Sequence, residues 1–367
     1  MTNVVSVPKP KKSRKLLWRG LLLVLFLLAG GLAYGYLTFG WVFFVKPGPG
    51  GEQLGLPMTV VAGNGEAGFA DGVGADARLH KPIRFAPLGP DRVVFADINN
   101  HAIRTVDLEG RVETIAGGPD KEGHQDGPAG EARFASPHGV AVRADGAIAV
   151  CEASGGTVRL LEKRDDGWVV STIGGSPTEK GMRDGPAASS LFGAPHAVQW
   201  GTDGALYVAD IGNHRVRRIH EGVVSTVAGS DQKGDDDGGE GVGTLAWPMD
   251  IAFAADGTLW IADAGVAKIR CWSRTDGLTT PFPDLELAMP HGIAVTPAGH
   301  IAVAEMYGHR ILRLHPWGPD LATYCGTPEE VEGATSLQKP AAVLAHAGRL
   351  WIADLGNHRI VTVPLAE

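Results

Sequence analysis

Three histidines stand at matching places in the chain, in Pro137-His138-Gly139, Pro195-His196-Ala197 and Pro290-His291-Gly292. Imidazoles brought around one space can hold zinc and leave a coordination position for water or substrate. A second set is acidic. Asp97, Glu152, Asp210, Asp263 and Glu305 each lie 15 residues after a proline, and Asp354 lies 14 after one. Rings of carboxylates can bind cations or perform acid-base chemistry. An acid required by every copy of a repeat more simply satisfies backbone donors of the adjoining turn or pairs with the next strand's arginine. These six are therefore read as structural. Cys151, Cys271 and Cys325 sit in apolar runs and read as buried thiols. The chain has no nucleophile elbow, Walker loop or Cys-x-x-Cys motif, which leaves covalent and phosphate-binding mechanisms without support.

The elements that position these residues follow from self-similarity. Pro82, Pro137, Pro195, Pro248, Pro290 and Pro340 are separated by 55, 58, 53, 42 and 50 residues. Each opens an apolar strand, followed by a turn such as Ala144-Asp145-Gly146 or Thr202-Asp203-Gly204 and a second strand ending in the repeat acid. Asp-Gly supplies the positive φ of a tight hairpin. A third and a fourth strand complete the unit, as in Val216-Arg217-Arg218-Ile219 and Val223 to Gly229. The sixth unit stops after its third strand, while Met58-Thr59-Val60-Val61-Ala62-Gly63 is an orphan fourth strand ahead of the first. The two ends complete each other, so residues 58 to 62 are expected to close a six-membered ring. Units of this length with four short strands are propeller blades. The histidines open the innermost strands of blades 2, 3 and 5, where the other blades carry Ile83, Met249 and Ala341. They should converge near the mouth of a central channel.

Asn213-His214-Arg215 and Asn357-His358-Arg359, each preceded by an Ala-Asp strand end, resemble NHL repeats. The resemblance covers residues 58 to 367 and implies an all-β, six-bladed propeller of the NHL type. In these turns Asn is expected to take the left-handed conformation and Arg to bridge strands. Asp71-Gly72, Asp126-Gly127, Asp184-Gly185 and Asp237-Gly238 mark glycine-rich inserts that should gather on one face. The Pro-His steps are similar to those of peptidyl-hydroxyglycine amidating lyases, which are also six-bladed. That similarity implies zinc on His138, His196 and His291 and an active-site tyrosine at Tyr307. Two features depart from it. Blades 2, 3 and 5 give projected angles of about 60°, 120° and 180°, which suit tetrahedral zinc poorly. The arginine that the lyases place after a strand-end acid is replaced by Ile211 after Asp210 and Met306 after Glu305. The acid-and-asparagine set of calcium-dependent lactonases has no counterpart.

Ahead of the repeats, residues 20–45 carry no charge and include an unbroken run from Leu21 to Leu28, enough to cross a bilayer as a helix. Lys9, Lys11, Lys12, Arg14, Lys15 and Arg19 precede it, which places residues 1–19 in the cytoplasm by the positive-inside rule. Residues 46–57 then read as a linker and 58–367 as an extracytoplasmic domain, periplasmic on a bacterial inner membrane. Beyond residue 45 there are 27 basic against 41 acidic residues, a body about 14 charges negative that would repel nucleic acid. The combined reading is a membrane-anchored scaffold that binds an envelope protein, peptide or glycan. A zinc enzyme at the channel mouth is the alternative, and no other cofactor is expected.

Overall fold

The computed structural model describes residues 51–239, 243–316, 318, 320–327 and 336–365. The expected membrane helix at 20–45 and the cytoplasmic tail lie outside them. Among the described residues no helix is long and apolar enough to cross a membrane.

Each repeat folds as an antiparallel sheet. In blade 1 the strands are Pro82–Pro87, Arg92–Asp97, Ala102–Asp107 and Arg111–Gly117, paired in that order. The innermost strands of blades 2 to 6 are Pro137–Val142, Pro195–Trp200, Pro248–Phe253, Pro290–Val295 and Pro340–His346. These six strands touch in succession and the sixth touches the first, which closes a six-bladed propeller. Gly139 and Gly292 permit the close approach, because a Cβ on either would fall 2.8 Å and 2.7 Å from the Cα of Ala197 and Ala342 on the following blade. Blade 6 takes its fourth strand from Thr59–Ala62, paired with Arg359–Pro364. The closure expected from the orphan strand is thus present.

Fifth strands add a feature beyond the repeat pattern. In blades 1 to 3 the insert contributes Gly72–Val73, Gly127–Pro128 or Gly185–Pro186, which covers the blade's own outer edge. Blade 5 has no such insert, and Glu52–Gln53 covers its edge in parallel instead. From Glu52 onward the expected linker is therefore propeller structure, with Leu54, Leu56 and Met58 packed against a buried cluster that includes Tyr324 and Val363.

The repeat acids are fully buried, and each accepts from backbone ahead of its own inner strand, as Asp97 does from His80 N (2.8 Å) and Asp354 from Gln338 N (2.6 Å). Each also pairs with a buried arginine. In blades 1 to 4 this is Arg104, Arg159, Arg217 or Arg270, which reaches on to the insert's Asp71, Asp126, Asp184 or Asp237. Blades 5 and 6 lack that aspartate and carry Leu312 and Val361 in the arginine's place, and Arg310 and Arg359 pair with the acid instead. A buried charge needs full pairing, so insert aspartate and arginine occur together or not at all. The structural reading of the acids holds. In the Asn-His-Arg turns, however, the histidines take the left-handed position (His214 φ 56°, His358 φ 49°). Asn213 and Asn357 instead donate their amides to Asp210 (2.7 Å) and Asp354 (2.8 Å).

Candidate functional site

The inner hairpins share one irregularity that builds the channel. In blades 2 to 6 the register slips directly after the opening proline, so His138, His196, Met249, His291 and Ala341 are the extra residues of β-bulges. A bulge leaves its residue unpaired in the ladder and re-aims it. In blade 1 the slip comes one residue later, between Ile83 and Phe85, so the bulged residue is Arg84, at φ 43°. Alignment on the prolines places Ile83 in this ring, whereas the register places Arg84 there.

Arg84 is the hub of the channel. Its Nη1 donates to Ala341 O (2.7 Å) and its Nη2 to Met249 O (2.6 Å) and His291 O (2.9 Å), the bulge carbonyls of blades 6, 4 and 5. Its Nε lies 3.2 Å from Asp250 Oδ1 on blade 4, directly opposite in the ring. Asp250 accepts in turn from Ile251 N and Ile293 N, both at 2.9 Å. Arg84 and Asp250 are only 4% and 6% exposed. Burial pushes the arginine below and the aspartate above their ordinary values. The opposite charge of each partner, and for Asp250 the two backbone N–H groups, oppose that push.

The three histidines do come together, with ring centroids 4.7 Å apart for His138 and His196 and 5.1 Å for His196 and His291. Each Nδ1 faces a carbonyl: Ser136 O at 2.9 Å, Met249 O at 2.8 Å and Ala341 O at 2.7 Å. A carbonyl can only accept, so Nδ1 carries the proton in all three. The Arg84 Nη2 contact with His196 Nδ1 at 3.3 Å is then two donors sharing Met249 O. Burial, with Arg84 adding to it, holds His138 down to about 4 and His291 to about 3. His196 is lowered as well, by burial, then His138 and Arg84.

Neutral imidazoles anchored through Nδ1 are in the protonation state that a metal needs. The guanidinium among them is not compatible with one, since a divalent ion would enter beside a buried positive charge whose counter-charge, Asp250, is already engaged. Among the described residues no group of three or more His, Cys, Asp or Glu is arranged to hold a metal ion. The residues therefore fit zinc poorly. Tyr307 is half-buried in blade 5 and packs against the cluster containing Met306. The three cysteines are free thiols, with burial raising Cys151 and Cys325 to about 12.

The histidines set an acid limit on stability. Unfolded imidazoles titrate near 6.5, so as pH falls the unfolded chain takes up protons first. The contribution of the neutral rings is complete above about 6.5 and is lost progressively down to about 4 and then 3. Urea unfolding at pH 7 and pH 4.5 should show a larger loss for the native sequence than for His138→Gln/His196→Gln/His291→Gln. Parallel losses would contradict the assignment.

The sequence profile of the NHL repeat matches residues 287–314, the three inner strands of blade 5. The chain is an NHL-repeat propeller. Human NHL repeat-containing protein 2 is 24% identical to this propeller over 330 residues, 75% of the chain and 45% of the human protein. Protein SUPPRESSOR OF QUENCHING 1, chloroplastic, of Arabidopsis thaliana is 30% identical over 222 residues, 51% of the chain and 21% of that protein. The chain thus spans less than half the length of these relatives. A virginiamycin B lyase structure from Staphylococcus aureus with quinupristin superposes with a TM-score of 0.53 at 18% identity, covering 80% of this chain and 84% of that one. At that identity the likeness shows the fold alone.

Proposed function

We propose that this NHL-repeat propeller is a binding module held to a membrane by residues 20–45, with the propeller outside the cytoplasm and its insert-bearing face recognising an envelope protein, peptide or glycan. One observation carries the reading. The channel, where the histidines invited a catalytic centre, is filled by Arg84, whose Nη1 and Nη2 donate to Ala341, Met249 and His291 and whose charge is paired with Asp250. A guanidinium in that state offers a substrate neither a proton nor an open electrophilic position. The inserts, by contrast, are tied down by the buried Arg104 and Arg217 on the part-exposed Asp71 and Asp184, while Phe69, beneath the Arg104 guanidinium, and Met182 keep part of their surface in solvent. A rigid scaffold presenting variable loops is a common form for a recognition surface.

Capture of envelope partners on immobilised full-length protein tests the proposal. The triple His138→Ala/His196→Ala/His291→Ala variant should retain capture, whereas Phe69→Ser/Met182→Ser, which removes the exposed apolar surface of two inserts, should lower it at least tenfold. The opposite pattern would return the function to the channel.

A further inference from the structure

The residue before each opening proline forms an outer ring around the channel mouth: Lys81, Ser136, Ala194, Trp247, Met289 and Lys339 in blades 1 to 6. Its two halves differ in chemistry. In blades 3 to 5, Ala194, Trp247 and Met289 pack with Ile211, Met249 and Ala264 into one apolar cluster. Blades 6 and 1, across the ring from blades 3 and 4, contribute the two lysines.

These lysines sit unusually for a protein this acidic. Lys81 is half-buried, and its ammonium is lowered by burial and then by the nearby Lys339 ammonium. Neither forms an ion pair among the described residues. The strand-end carboxylates of the same two blades are occupied, Asp97 by Arg104, Asn100 and His80 N, and Asp354 by Arg359, Asn357 and Gln338 N. Histidine adds a directed donor. His358 Nδ1 accepts from Lys81 N at 3.2 Å, so its proton is on Nε2. The His80 ring lies against His358 at 5.3 Å. Two like charges held together without a counter-ion repel each other, and an anion placed between them would relieve that repulsion.

We propose that the channel mouth binds a small amphipathic anion, its carboxylate or phosphate held by Lys81, Lys339 and the Nε2–H of His358, and its apolar body lying towards Trp247 and Met289. The inference rests on the binding-module reading and names a ligand class for its face. The apolar half excludes a bare inorganic ion as the best ligand, and the lysine half excludes a neutral one. No bond is made or broken.

Isothermal titration and saturation-transfer NMR on the full-length protein, with hexanoate, hexyl phosphate and hexan-1-ol as probes, test it. At least one anion should bind ten times or more tightly than the alcohol, and the stronger of the two identifies the head group. Lys81→Ala/Lys339→Ala should weaken that anion at least tenfold with thermal stability unchanged. Lys163→Ala/Arg164→Ala, which removes two charges from an exposed hairpin of blade 2, should leave it within twofold. Equal binding of alcohol and anions, or equal behaviour of the two charge variants, would overturn the proposal. If no probe binds while partner capture persists, the ligand class falls and the binding module stands.

Discussion

Replacing Arg84 by methionine is expected to lower the unfolding free energy by about 3–5 kcal/mol, the usual penalty for breaking a buried ion pair from one side. Two costs combine. The Asp250 carboxylate, 6% exposed, loses its counter-charge while keeping only the N–H groups of Ile251 and Ile293. The His291 carbonyl loses its donor, while Met249 O and Ala341 O keep only His196 Nδ1 and His291 Nδ1, and an unmet buried acceptor costs about 1–3 kcal/mol unless water replaces the donor. The double variant Arg84→Met/Asp250→Leu should recover part of the loss, because a pair replaced by apolar groups no longer buries a lone charge. Recovery should be incomplete, since those carbonyls still point into the channel. Urea denaturation of the native protein, Arg84→Met, Asp250→Leu and the double variant closes the cycle. If Arg84→Met stays within about 0.5 kcal/mol of the native sequence, water already satisfies the carbonyl ring and the guanidinium is not its hub.

This pair shows where the sequence is readable and where it stops. The blades were legible because proline, hairpin and acid recur at nearly fixed spacing, and that spacing is set by backbone pairing that every blade shares. The meeting of His138, His196 and His291 was legible from the same alignment. The identity of the sixth bulged residue was not, because a bulge can slip by one position without changing the length of the hairpin. Pro82 still faces Asp97 as Pro137 faces Glu152, and yet Arg84 replaces Ile83 on the axis. A signal did exist. Arg84 and Asp250 are charged residues inside apolar inner strands on diametrically opposed blades, and a sixfold ring brings opposed blades to the same axis. The left-handed turn was misassigned for a related reason. Asn tolerates that conformation, but its amide is needed by the buried acid three residues earlier, which leaves the position to histidine. The strand at Glu52–Gln53 carries no apolar alternation at all, and its pairing depends only on the bare edge of blade 5.

Deleting residues 51–62 is expected to have the other large effect. Thr59, Val60 and Ala62 pair with Thr362, Val361 and Ile360 of the last strand. Val61 and Ala62 are 6% and 0% exposed, and Leu54, Leu56 and Met58 cover the cluster shared by blades 5 and 6. Removing them strips burial worth several kcal/mol at about 25 cal/mol per Å² and leaves two outer strands, Leu321–Gly326 and Arg359–Pro364, with unpaired N–H and C=O groups. Bare edges carrying Ile360, Val361 and Val363 invite pairing between molecules. The thermal midpoint should fall by on the order of 10 °C, with the single transition broadening as blades 5 and 6 open before the rest. Light scattering should detect dimers and larger species. Val61→Asp, which keeps the chain length but places a charge in the closing strand, should give a smaller shift in the same direction, of about 2–4 kcal/mol. A ring that needs its first strand cannot pass both tests unchanged. Equal midpoints and a monodisperse deletion variant would mean that the six contacts between inner strands already hold the circle closed.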